Sequence, residues 1–164
     1  MKLAIMSDSH DRWDHLEKAI KMAHEHGCEL LLFAGDVIAP TGIGVLEKFN
    51  GKVTFVWGNN EGERVAMTRK MDASEKIELC GDVYEGTIDG IKIFMNHYPR
   101  FTELAAKSGE FDLCIYGHTH HYHHEMVGVC LLLNPGEIQG YGTGVSSFVI
   151  FDTKTKKAEK VVVS

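Results

Sequence analysis

The first 57 residues alternate short apolar runs with stretches of helical spacing, and this restricts the fold more than any other feature of the chain. Lys2–Met6, Leu30–Ala34 and Val53–Trp57 are apolar runs of strand length. Between the first two, Trp13, Leu16, Ala19, Ile20 and Ala23 recur at helical spacing across Arg12–His26, and Gly27 is placed to end that helix. Thr41–Phe49 reads as a short second helix, with Ile43, Leu46 and Phe49 on one side, and Arg64–Lys70 as a third. Strands and helices in this order build βαβ units around a parallel sheet. Asp11 and Asp14 are natural caps for the first helix.

The second half is richer in strand. Val83–Ile88 and Ile91–Asn96 flank Asp89-Gly90, a strong hairpin signal. Phe101–Ser108 reads as a helix and Leu113–Tyr116 as a strand. Tyr122–Leu133 reads as two strands around Gly128, with a turn at Asn134-Pro135-Gly136. Ser146–Phe151 and Ala158–Val163 form a terminal hairpin. The expected architecture is an α/β fold, an αββα sandwich of two mixed sheets flanked by helices. A chain of 164 residues has room for one domain, residues 1–164.

Composition removes several classes of function. The net charge of −6 argues against a protein that grips nucleic acid through a broad basic face. No apolar run approaches the roughly 18–20 residues of a membrane span, and Asp8, His10, Asp11 and Arg12 interrupt the N-terminus before a secretory signal could form. Cys28, Cys80, Cys114 and Cys130 lie far apart in or beside apolar stretches, with no CxxC pair. They read as free thiols in a reducing cytoplasm. Self-association into a homo-oligomer is not legible. The 10 histidines are an excess, and five of them crowd between 118 and 124.

Those histidines belong to a pattern. Asp8 and His10 follow the first strand, Asp36 the second and Asn59 the third; His97 follows the strand ending at Asn96, and His118 and His120 the strand ending at Tyr116. In an open α/β sheet the loops at the carboxyl ends of strands converge on one edge. Each short motif alone has an ordinary explanation as a cap or turn. Together they aim two aspartates, one asparagine and four histidines at one place. Seven ligands exceed the four of a zinc-like centre and suit two metals sharing a carboxylate, held roughly 3.5–4 Å apart. Imidazole, carboxylate and amide ligands together favour Mn²⁺, Fe²⁺, Ni²⁺, Co²⁺ or Zn²⁺ over Ca²⁺ or Mg²⁺ alone.

Asp8-x-His10, Gly35-Asp36, Gly58-Asn59, His97 and Gly117-His118-x-His120, in this order, resemble the motifs of the calcineurin-like metallophosphoesterases. The likeness covers residues 1 to about 140. The length and the Asn134-Pro135-Gly136 turn resemble the small single-domain phosphodiesterases of bacteria and archaea. The resemblance implies that Asp8, His10 and His120 hold one metal, that Asn59, His97 and His118 hold the other, and that Asp36 bridges them. It marks Asp36, Asn59 and Asn60 as candidate catalytic residues. Asn60 stands where the wider family has a histidine that protonates the leaving oxygen. An amide cannot supply that proton, although it can hydrogen-bond a phosphate oxygen. His121, His123 and His124 extend the histidine cluster and are candidates for the missing donor.

The expected chemistry is hydrolysis of a small phosphodiester by a metal-bridging hydroxide, with Mn²⁺ the first choice of metal. Two divalent ions, two aspartates and a hydroxide leave about one positive charge, which suits a diester monoanion better than a monoester dianion. Arg64 and Arg100 are candidates for extra positive charge, or are simply solvated. The alternatives are a non-catalytic metal-binding scaffold on the same fold, a phosphomonoesterase, or a nuclease; the last lacks basic patches with interleaved aromatics.

Overall fold

The computed structural model describes all 164 residues. Its elements run β1 (Lys2–Met6), α1 (Trp13–Glu25), β2 (Leu30–Phe33), α2 (Pro40–Leu46), β3 (Lys52–Phe55), α3 (Arg64–Asp72), β4 (Ile77–Leu79), β5 (Val83–Ile88), β6 (Ile91–Asn96), α4 (Pro99–Ser108), β7 (Leu113–Ile115), β8 (His123–Val127), β9 (Cys130–Asn134), β10 (Ser147–Asp152) and β11 (Lys157–Val162). A six-stranded sheet has the order β11-β10-β1-β2-β3-β4, and a five-stranded sheet the order β5-β6-β7-β9-β8. Both are mixed. β1, β2, β3 and β4 pair in parallel while β10 runs antiparallel to β1; β6, β7 and β9 are parallel while β5 and β8 run antiparallel at the two edges.

Strand alternation sorts the core into layers. On β1, Leu3 and Ile5 face the second sheet and pack with Ile93, Met95, Leu113, Ile115 and Leu133. Ala4 and Met6 face the other way, against Leu16, Ile20, Ile43 and Met67 of α1, α2 and α3. On the far side of the second sheet, Phe94, Cys114, Tyr116 and Leu132 receive Ala106 of α4. Helix, sheet, sheet, helix is the expected αββα sandwich. Three buried layers between these four also explain why β2, β7 and β9 read as continuous apolar runs: both faces are covered.

Some local expectations change. Helix α1 begins at Trp13 with no side-chain cap. Asp11 turns across instead, and its Oδ1 accepts from Ala39 N at 3.1 Å, at the start of α2. Asp14 pairs with Arg12 at 3.0 Å. Strand β4 was not expected; its three residues are too few for a period, and it exists because the edge of β3 offers a parallel partner. Pro40 and Pro99 start α2 and α4, ahead of the expected residues, because a proline at the first turn sacrifices no helical hydrogen bond. The hairpin at Asp89-Gly90 forms as expected, with φ of 49° and 81° at its two residues. All four cysteines are unpaired.

Candidate metal centre

Five loops at the carboxyl ends of β1, β2, β3, β6 and β7 meet on one edge, so the site draws on both sheets. The loops are tied to one another by backbone. Asp8 N donates to Gly35 O at 3.0 Å, His10 N to Asp36 O at 3.1 Å, Gly117 N to His97 O at 3.1 Å, and Ile138 N to Ser7 O at 3.1 Å. Asp8, His10, Asp36, His118 and His120 all hold left-handed backbone, with φ between 41° and 65°. Asp and His enter that region more readily than most residues, yet each instance costs about 1–3 kcal/mol, so strain is concentrated here. Gly58 and Gly117 are required by contact. A Cβ on Gly58 would collide with Asp36 Oδ1, and one on Gly117 with Ser7 Oγ.

The seven expected ligands fall into two touching groups. In the first, buried Asp8 presents Oδ1 to His120 Nε2 at 3.4 Å and to His10 Nε2 at 3.7 Å. Its other oxygen accepts from His118 N at 3.1 Å. In the second, Asn59 Oδ1 lies 3.0 Å from His97 Nε2 and 2.8 Å from His118 Nδ1. Asp36 Oδ2 stands between the groups, 3.3 Å from His10 Nε2 and 3.5 Å from His97 Nε2. The ligand atoms of Asp8, His10 and His120 lie within 4.8 Å of one another, as do those of Asp8, Asp36 and His97.

Donor and acceptor roles show where lone pairs gather in this cluster. His97 Nδ1 is 2.7 Å from the Ala34 carbonyl, which can only accept, so Nδ1 carries the proton. Its Nε2 lone pair then faces the oxygens of Asn59 and Asp36. His120 is fixed in the same way: Nδ1 donates to Glu137 Oε2 at 2.7 Å, leaving the Nε2 lone pair toward Asp8. Asp8 Oδ1 and His10 Nε2 are buried with no hydrogen-bond partner. Acceptors that converge in excess of donors need a positive charge among them. Protons can supply it. Burial alone would lower His10, but the Asp36 and Asp8 carboxylates, 3.3 and 3.7 Å from its Nε2, raise it to about 9. Burial alone would raise Asp36, but the His10 and His97 rings, 3.3 and 3.5 Å from its Oδ2, and the hydrogen bond from Asn60 hold it well below the usual carboxylate range. The donor set, orphaned atoms included, equally fits divalent ions.

Asn60 does not stand free. Its backbone N and side-chain Nδ2 donate to the two oxygens of Asp36 at 2.9 and 2.8 Å. His123 is drawn away from the cluster, with Nδ1 2.8 Å from the Tyr116 hydroxyl, while His121 and His124 are exposed. Arg64 donates to Gly58 O at 2.7 Å, beside the Asn59 loop.

Two buried carboxylates escape a reading by motif alone. Glu61 Oε1 accepts from Asp36 N at 2.6 Å, and its Oε2 accepts from Gly58 N at 2.8 Å, so it locks two ligand loops together. Glu137 binds His120 with one oxygen and Thr143 N with the other, at 2.6 Å. A glutamate one residue past each turn, in Asn59-Asn60-Glu61 and Pro135-Gly136-Glu137, was the available signal.

The chain belongs to the calcineurin-like phosphoesterase superfamily, whose domain profile matches residues 1–156. It is 35% identical over 164 residues to a protein of Methanocaldococcus jannaschii named as a phosphodiesterase, covering 99% of both chains. Among solved structures, it superposes on one described as a novel archaeal phosphodiesterase with a TM-score of 0.92 and 36% identity, again over 99% of each chain. The YfcE phosphoesterase of E. coli shares the fold over the full length of both chains, with a TM-score of 0.71 and 19% identity.

Proposed function

We propose that this protein is a metal-dependent phosphodiesterase whose single domain, residues 1–164, holds two divalent transition-metal ions. Asp8, His10 and His120 would hold one ion, Asn59, His97 and His118 the other, and Asp36 would bridge them. The observation that carries this reading is the position of Asp36 Oδ2, 3.3 and 3.5 Å from ring nitrogens that belong to separate ligand groups. The relatives named as phosphodiesterases at 35% and 36% identity support the reaction. A complete set of competent ligands argues against a non-catalytic scaffold.

When bound, such ions make water nucleophilic near neutral pH and neutralise charge on phosphorus. The chain's own residues do the rest. Glu137 and the Ala34 carbonyl hold His120 and His97 in the tautomers that leave Nε2 free. Glu61 and Asn60 fix Asp36 through its backbone and its carboxylate. Asn60, spent on Asp36, supplies no proton to a leaving oxygen.

Small phosphodiesters are the substrates that fit this charge and this acidic chain. Mn²⁺ is the first metal to test. No helix is long and apolar enough to cross a membrane, and the four unpaired cysteines suit the reducing cytoplasm. Reconstitution with Mn²⁺, elemental analysis and an assay with bis(4-nitrophenyl) phosphate test the reading. Two ions per chain and turnover of the diester are expected. Saturation at one ion, or hydrolysis of monoesters alone, would overturn it.

A further inference from the structure

Beside the second ligand group lies a cleft of about 430 Å³, bordered by Gly58, Arg64, Asp82, Val83, Tyr98 and Phe101. It adjoins the centre through two of its lining residues. Gly58 packs on Asp36, and the Tyr98 ring lies 5.1 Å from the His118 ring and 5.4 Å from the His97 ring. The rim carries apolar surface the fold does not use. Helix α4 buries Thr102 and Ala106, yet leaves Phe101 59% exposed, and Val83 and Tyr98 remain 40% and 37% exposed. Charge flanks this slot on one side. The Arg64 guanidinium is held by the Gly58 carbonyl, by the Trp57 ring 5.1 Å away, and by Asp82 at 3.8 Å.

We propose that this cleft seats the nucleoside arm of the phosphodiester substrate, a proposal that rests on the phosphodiesterase reading. Exposed aromatic rings next to a reaction centre offer a stacking surface for a planar group. A fixed guanidinium donor and a carboxylate acceptor beside the rings match a heterocycle that carries both acceptors and donors. An alkyl arm would use neither, and a plain aryl ring only the aromatic wall. The net charge of −6 and the lack of a basic track disfavour a long polynucleotide, so a single nucleoside is the occupant.

Two diesters with the same leaving group test it: thymidine 5′-(4-nitrophenyl) phosphate and methyl 4-nitrophenyl phosphate. In both, water adds to phosphorus and the bond to 4-nitrophenolate breaks, so only the retained arm differs. The Mn²⁺-loaded protein should prefer the nucleoside diester in kcat/KM by about tenfold or more, the scale of one base-stacking contact. Phe101→Ala and Phe101→Leu should each shrink that preference about tenfold, and Phe101→Trp should keep it. Met126→Ala, an exposed apolar residue on β8 outside the cleft, should leave it unaltered. Equal rates on the two diesters, or a preference indifferent to Phe101→Ala, would overturn the proposal. If neither diester is cleaved, the phosphodiesterase reading itself fails. The cleft is then judged by titrating adenosine 5′-monophosphate and following the ring protons of Tyr98 and Phe101. Shifts confined to that rim support a nucleoside seat, and unmoved rings overturn it.

Discussion

His120 Nδ1 donates to the buried Glu137 carboxylate at 2.7 Å, and this bond decides which nitrogen of His120 faces Asp8. Burial alone would raise the Glu137 carboxyl, but hydrogen bonds from Thr143 N, Gln139 and His120 lower it, so it stays an anion. A carboxylate behind a histidine ligand fixes the tautomer and raises the basicity of the ring.

Glu137→Gln should therefore weaken metal binding about 10–100-fold, the usual cost of losing such a support. Titration calorimetry of the metal-free protein with Mn²⁺ checks this. The loss should appear at one of two sites, because Glu137 supports only the group containing Asp8 and His10. Equal weakening at both sites would contradict the separation.

If Asp36 is shared as proposed, Asp36→Asn should weaken both sites and abolish diester hydrolysis. Asp14→Asn, on an exposed residue paired with Arg12, should do neither. Metal content by elemental analysis and turnover of bis(4-nitrophenyl) phosphate read the two effects. An Asp36→Asn protein that retains two ions would refute the bridge.

Removing metal should cost stability. Asp8 and Asp36 are buried side by side, and Asp8 Oδ1 and His10 Nε2 have no other partner. A ligand present at 100 times its Kd stabilises the folded state by about 2.7 kcal/mol. For a domain of this size that raises the melting temperature by roughly 5–10 °C. Thermal unfolding in EDTA should show the lower value, and returning Mn²⁺ should restore it. Identical melting with and without metal would argue that protons alone fill the site.

Leaving-group dependence follows from Asn60. Its amide is bound to Asp36 and cannot protonate a departing alkoxide. General acid catalysis contributes typically ~10²–10⁴-fold, and Asn60 cannot supply that factor. Log rate should fall steeply with the pKa of the leaving group across a series of aryl and alkyl diesters. Asn60→His should flatten the slope by raising the poor leaving groups. A shallow slope in the unmodified protein would mean that another group already donates.

What the sequence determined by itself was the order of elements and the chemical type of the centre. Buried strands such as Leu30–Phe33 and Leu113–Ile115 are apolar because both faces are covered, and that composition is legible without coordinates. Ligand residues placed just after strands are legible too, since parallel strands deliver their ends to one edge. Only the tertiary structure decided how those residues are held. Glu61 meets Asp36 from 25 positions away, and Glu137 meets His120 from 17 away. No local periodicity records such pairings, because they exist only once loops from different strands pack together. The same holds for Asp11, which bonds Ala39 ahead of α2 rather than capping its own helix, and for β4, which has no signal apart from its partner. Tautomers, too, belong to the folded state: a histidine in a sequence has two equivalent prospects, and only a neighbouring carbonyl or carboxylate leaves the Nε2 lone pair free.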